Sequence, residues 1–257
     1  MHFFGPWLGL TTCYFGLACC HRTFNEQAIL SRSKSGFEES RLVPDLLPAF
    51  NPQGILAIHF AGEKILRHPG FSMSAQDTQA GPTFQLYPGF TGQLNPADTF
   101  TLIMVDPDSP IHANPSGAKL HLLATGLALD RHHEPVETYN LVNNTQFLVD
   151  WLSPDPEPRT GVHRYTFLLY KGVASQASVQ PFQASTFNRS GFNLAQFTRD
   201  AGLQNSYAGA FMNIDSASPE NLIRQNAQGS SASGRSIDMY TFSITIILSC
   251  FGAIYLS

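Results

Sequence analysis

Through the middle of the chain, short apolar runs alternate with clusters of Pro, Gly, Asn and Asp, with no internal repeat or heptad. Runs this short, bounded by turn formers, predict strands. The best of them lie at 55–60, 99–105, 121–129 and 162–170, each rich in aliphatic or aromatic side chains. The run 99–105 is apolar at both odd and even positions, which predicts a strand covered on both faces and therefore central. Helical signals come late. Residues 193–201 read as a short helix with Gly202 as its stop, and Ser218-Pro219-Glu220 opens a second with a capping residue and proline in the first turn. Residues 22–41 are polar and without clear periodicity, either a flexible lead-in or a marginal helix. The pattern is that of a mostly β domain.

The two ends differ from this body. Residues 3–20 are apolar and uncharged, with Arg22 the first basic residue, so 1–20 is expected to be a secretory signal peptide, with small residues near Gly16 and Ala18 to permit cleavage. Only His2 precedes the apolar run, which leaves an uncleaved anchor as the alternative. At the other end small residues at Gly229, Ser230 and Ser231 begin a polar stretch 229–238, and an apolar tail occupies 239–257. Small site, spacer and terminal tail are the three parts of a glycosylphosphatidylinositol (GPI) anchor signal, with those three residues as acceptor candidates. The alternative is a tail-anchoring membrane helix, although no Lys or Arg follows it to face a cytosol. Cys13, Cys19, Cys20 and Cys250 all fall in these ends, so the domain at 42–228 is expected to lack a disulfide. Asn143-Asn144-Thr145 and Asn188-Arg189-Ser190 are glycosylation acceptors if the signal peptide acts, making Asn143 and Asn188 the expected sites. The expected location is the secretory pathway and the cell surface, in the outer membrane leaflet through a GPI anchor.

Of the 257 residues, 43% are hydrophobic and 13% charged, ample for one packed domain once both ends are set aside. A net charge of -4, with Lys and Arg scattered, supplies no basic field for nucleic acid.

Chemistry concentrates at three places. Run 99–105 leads into Asp106-Pro107-Asp108-Ser109-Pro110, where each proline fixes its own φ and holds the residue before it extended. Taken alone the pentapeptide is also an ordinary turn. In Val162-His163-Arg164-Tyr165-Thr166-Phe167, a period of two puts His163, Tyr165 and Phe167 on one face and Arg164 on the other. The same counting groups His121 with Lys119 and Leu123. These residues are acids and imidazoles without a nucleophile: no Gly-x-Ser-x-Gly elbow surrounds any serine, and the body has no cysteine. His121, His163 and Asp106 are chemically able to bind metal, but no His-Glu-x-x-His or paired-cysteine spacing supports it, and His132-His133-Glu134 reads as an exposed loop. The inventory suits holding an anion, with no enzyme activity and no cofactor.

The order Asp-Pro-Asp-x-Pro, a His entering a strand, then Gly-x-His-Arg-Tyr resembles the phosphatidylethanolamine-binding protein family. Leu42-Val43-Pro44-Asp45-Leu46-Leu47-Pro48-Ala49-Phe50 resembles its opening segment, Thr101-Leu102-Ile103-Met104-Val105 its strand before the acidic turn, and 192–211, with Tyr207-Ala208-Gly209, its closing segment. The resemblance covers about residues 42–214. It implies a large central antiparallel sheet packed with a smaller sheet, short helices near the C-terminus, and an anion pocket at one end of the sheet. Matched residue by residue, the resemblance gives Asp106, Asp108 and Pro110 to the acidic turn, His121 as the first imidazole, Gly161, His163 and Tyr165 to the second wall, and Pro158 to the loop before it. A carboxylate bonded to one imidazole nitrogen fixes the tautomer. Asp106 is therefore expected to orient a histidine while His163, Tyr165 and backbone amides donate to the oxyanion. The chain departs from the family pattern at Ala118-Lys119-Leu120 and across 153–160. The implied partner is a phospholipid head group or a phosphorylated small ligand. The alternative is a protein-interaction module inhibiting a serine protease or carboxypeptidase, with 153–160 as the contact.

Overall fold

The computed structural model describes residues 14–89, 94–114, 116–132, 138–144, 146–184 and 186–218, with side chains from Gln27 onward except that of His132. The first part of the expected signal peptide, the anchor signal at 229–257, the helix start at Pro219-Glu220 and the His133-Glu134 pair lie outside the described residues.

Among the described residues nine strands form one sheet: β1 (Gly54–His59), β2 (Ile65–Leu66), β3 (Phe71–Ser72), β4 (Thr83–Pro88), β5 (Thr99–Asp106), β6 (Lys119–His132), β7 (Thr138–Val142), β8 (Val162–Lys171) and β9 (Ala208–Asp215). Their order is β2-β1-β4-β7-β6-β5-β8-β9-β3, antiparallel throughout except that β3 runs parallel to β9. Strand β6 explains how one sheet makes two layers. Its first part pairs with β5, and its last residues, from Ala128 to His132, pair with β7. Between the pairs Phe100 with Leu127 and Leu102 with Ala124, two residues of β6 oppose one of β5. The extra residue at Thr125-Gly126, with Gly126 at φ 75°, is a bulge of the kind that bends a strand and adds twist. The smaller sheet implied by the sequence is thus the β2-β1-β4-β7 portion, hydrogen-bonded to the larger one through β6. Leu56, Ile58, Phe84 and Leu86 from the smaller portion meet Phe100, Leu102, Met104, Phe167 and Met212 from the larger in one core.

A second core lies on the other face of the large portion, where Ile103, Val105, Leu123 and Leu168 pack against helical residues. With cores on both faces, β5 and β8 are buried almost end to end, and β5 is central as its sequence predicts. The covering helices are α1 (Tyr14–Glu39), α2 (Leu42–Asp45), α3 (Gln176–Val179) and α4 (Leu194–Ala201). Helix α4 matches its prediction: the Asn193 side chain accepts from Gln196 N, and Gly202 closes it in the left-handed region. The polar segment at 22–41 is helical, and its end belongs to the domain. Phe37 is fully buried, stacked on Phe50 at 3.9 Å and edge-on to Phe211 at 5.4 Å. Burying such a ring contributes roughly 1.5–3 kcal/mol.

Candidate ligand site at the end of the sheet

The site is assembled by the register of three neighbouring strands. β5 and β8 pair as far as Val105 with Thr166, which brings Asp106 at the end of one strand beside the His163-Arg164-Tyr165 start of the other. From β6 comes His121, through a second irregularity: Met104 pairs with Leu122 but Val105 with Leu120, so His121 is an extra residue. Such a bulge re-aims a side chain. Leu120 and Leu123 join the helix-side core, whereas Leu122 joins the inter-layer core and His121 meets Tyr165 edge-on at 5.1 Å. The sequence expectation that His121 shares a face with Leu123 is therefore corrected, because alternation fails across the bulge. The His163 and Arg164 faces are as counted: His163 stacks with Tyr165 at 6.2 Å, and Arg164 points the other way, to Ser40 and Asp45.

Asp106, His121, His163 and Tyr165 converge, each only 1% exposed. Asp106 Oδ2 lies 2.8 Å from His163 Nδ1, and Oδ1 accepts from Asp108 N at 2.9 Å. His163 Nε2 lies 2.7 Å from Thr160 Oγ1, whose hydroxyl donates to the Glu157 carbonyl at 2.6 Å. Both nitrogens of His163 are thus engaged inside the protein, and the expected donation from His163 to an oxyanion would require Thr160 to be displaced. Tyr165 hydrogen-bonds the Asp106 carboxylate; burial, and then the charges of Asp106 and Asp155, push its phenol upward. His121 Nδ1 lies 2.8 Å from the Leu152 carbonyl, while its Nε2 is buried without a partner. Burial lowers His121 to about 4, although the Leu152 bond and the charge of Asp106 act in the opposite sense.

Asp108 faces away from this cluster. It accepts from Arg164 Nη2 at 2.7 Å, Arg164 Nε at 2.8 Å, Arg164 N at 2.9 Å and Ala113 N at 2.8 Å, with His112 Nδ1 also 2.9 Å away. Burial works against its ionisation, yet these donors hold it below the usual carboxylate range. Its oxygens are spent on framing the turn. Pro110 and Pro158 are exposed on flanking loops. Gly161, at φ 90°, clamps the start of β8 by exchanging hydrogen bonds with the fully buried Ser216. Among the described residues, no group of three His, Cys, Asp or Glu side chains is placed to hold a metal ion. Asn188 is exposed and Asn143 partly so.

Sequence reasoning passed over three contributors: the Leu152 carbonyl, Thr160 and Arg189. Arg189 Nη1 donates to the carbonyls of Asp150 at 2.9 Å and His121 at 3.1 Å, with Leu120 at 3.5 Å, so it satisfies the main chain around the His121 bulge.

The folded-over β-sheet carries an acid–imidazole–phenol cluster at one end. The chain belongs to the phosphatidylethanolamine-binding protein family, whose model matches residues 48–214. Among similar proteins, a 26 kDa secreted antigen of Toxocara canis is 30% identical over 68% of this chain, and the match spans 62% of that antigen's length. The carboxypeptidase Y inhibitor of Saccharomyces cerevisiae is 29% identical over 58% of this chain and 74% of its own length. Two solved structures share the fold. The carboxypeptidase Y inhibitor complexed with its cognate proteinase has a TM-score of 0.59 at 21% identity, covering 72% of this chain and 95% of the inhibitor. The phosphatidylethanolamine-binding protein from Plasmodium vivax has 0.57 at 16% identity, covering 71% of this chain and 96% of its own.

Proposed function

We propose that this chain is a non-catalytic binding protein whose cluster of Asp106, His121, His163 and Tyr165 receives a phosphate-bearing head group, either a phosphatidylethanolamine-like lipid or a phosphorylated small ligand. The observation that carries this reading is the buried, unpartnered Nε2 of His121 within an otherwise satisfied polar cluster. Orphaned buried polar atoms are rare in folded proteins and mark places completed by something else. Family membership points the same way. The Thr160 hydroxyl beside His163 donates to a carbonyl, so it is not set up as a nucleophile. Display at the cell surface through a GPI anchor is part of the proposal, supported by the apolar ends at 3–20 and 239–257 and, for secretion, by the similar secreted antigen. Calorimetric titration with phosphorylethanolamine tests the reading. Saturable binding that disappears in His163→Ala supports it; a folded parent that takes up no ligand sinks it.

The second reading is protease inhibition, favoured by similarity to the carboxypeptidase Y inhibitor and by the loop at 153–160. There Pro154 and Pro156 are buried while Asp155, Glu157, Pro158 and Arg159 are exposed. Exchanging that loop abolishes inhibition under this reading and spares head-group binding under the first.

A further inference from the structure

Away from the acid–imidazole–phenol cluster, Phe182 is the hub of an aromatic group on the helix side of the sheet. It meets Phe187 at 4.9 Å, Phe197 at 5.5 Å and Phe192 at 6.1 Å. Phe192 and Phe197 are buried in the helix-side core, whereas Phe182 and Phe187 are only partly covered. These rings line a groove of about 530 Å³ beside α3 and α4, within the size range of sites for small molecules. Polar groups line it too. Gln196 Nε2 donates to both oxygens of Asp200 at 2.8 Å, and Asn188 is exposed at the groove.

Asn188 opens the Asn188-Arg189-Ser190 acceptor triplet. Its place is fixed by its neighbours. Arg189 donates to the carbonyls at the β6 bulge, the Arg189 carbonyl accepts from Leu120 N at 2.8 Å, and the Asn188 side chain accepts from Ser190 N at 3.0 Å. A sugar attached at Asn188 Nδ2 therefore starts from a fixed point beside the rings. Such a floor suits a sugar, whose C–H-bearing face packs on the negative face of an aromatic ring while its hydroxyl and acetamide groups reach polar partners at the edge. A second copy or an apolar peptide would also cover the rings, but the glycan alone is tethered beside them.

We propose that this groove seats the first N-acetylglucosamine of an N-linked glycan on Asn188, so that the sugar covers Phe182 and Phe187 and becomes part of the folded surface. This rests on the secretory reading given under Proposed function and goes beyond it by giving one acceptor a structural role. In the transfer, the bond from Asn188 Nδ2 to the sugar C1 forms as the C1–O bond to a lipid-linked pyrophosphate donor breaks. The pyrophosphate departs and the amide gives up one proton. Covering partly exposed aromatic area raises the Tm of a domain of this size by about 2–4 °C.

The test expresses the full-length chain in a secreting eukaryotic cell whose glycans stay in the high-mannose form, purifies it in mild detergent and reads occupancy by mass spectrometry. An endoglycosidase then trims every glycan to its first sugar. Trimmed parent is compared with trimmed Ser190→Ala, which loses the acceptor triplet but keeps the Asn188 side chain and the main-chain N–H bonded to it. The two proteins then differ by the sugar ring at Asn188. Ser190→Ala is expected to unfold about 2–4 °C lower, and its Phe182 and Phe187 to oxidise faster in hydroxyl-radical footprinting. In a Phe187→Leu background the sugar is expected to make no difference to Tm. A glycosamidase that strips the folded parent completely supplies the same comparison if Ser190→Ala fails to fold. Equal Tm and equal ring oxidation with and without the sugar overturn the inference and leave secretion standing; self-association of both forms would then identify a second copy as the occupant. Glycan at Asn143 with none at Asn188 likewise overturns the inference alone. Bare asparagines at both sites overturn the secretory reading and the inference together.

Discussion

Acidification from pH 7 to pH 4 is the perturbation that bears most directly on His121. Burial depresses this imidazole from 6.5 to about 4 in the folded protein. Above pH 6.5 the ring is neutral whether the chain is folded or not, so it adds no slope to stability. Between 6.5 and about 4 the unfolded chain takes up a proton that the folded one refuses, and stability falls by about 1.4 kcal/mol per pH unit from this group alone. The shift of about 2.5 units, from 6.5 to about 4, corresponds to about 3 kcal/mol lost by the time the folded ring titrates. That is a large part of the 5–15 kcal/mol that typically separates folded from unfolded chains. Urea unfolding followed by fluorescence, with Trp151 stacked on Phe167 as a core reporter, gives stability at a series of pH values. The comparison is with His121→Asn, which does not titrate in this range. The parent is expected to lose about 3 kcal/mol more than the variant between pH 7 and 4. Parallel curves for the two proteins would refute a buried neutral His121.

Asp106→Asn is expected to keep the fold, by circular dichroism, and to weaken phosphorylethanolamine binding by about tenfold, since it removes the charge that orients His163; unchanged affinity argues that the carboxylate plays no such part. Arg164→Met strands Asp108 in the protein interior, and breaking a buried pair from one side costs about 3–5 kcal/mol, read as a lower urea midpoint. Arg189→Met removes the donor to carbonyls at the His121 bulge. It is expected to cost about 1–3 kcal/mol and to move the His121 imidazole signals in NMR without loss of sheet structure.

Much of the large sheet is legible in the sequence because its central strands are covered on both faces, which leaves unbroken apolar runs such as Thr99 to Val105. The strands of the smaller portion are harder to see. Gln85, Tyr87 and Asn140 on β4 and β7 form a polar outer network, and β2 and β3 are two residues each. Among the described side chains of the first helix only Ser33 and Phe37, one turn apart, are buried, too short a stripe to stand out among charges. At the site, residue types and order identify the acid and imidazoles, but counting by twos fails at His121 because a bulge adds a residue that only pairing with β5 reveals. Which donors reach which oxygens is also tertiary information. Asp108 reads like a second ligand group until Arg164, 56 residues away, takes both of its oxygens.

Asp106 with His163, and Asp108 with Arg164, are two acid–base pairs that rivet the ends of β5 and β8 together from opposite faces of the sheet. Arg164 also grips the Ser40 carbonyl and Asp45, at the junction of the first two helices. The buried Asp106–His163 cluster and the N-terminal helical segment therefore belong to one cooperative opening unit, in which neither strand end frays without releasing that segment. In native-state hydrogen exchange the amides of Asp108 and Arg164 would share a single opening energy with those around Leu46, and a ligand seated on the far face would slow exchange in a helix it never touches.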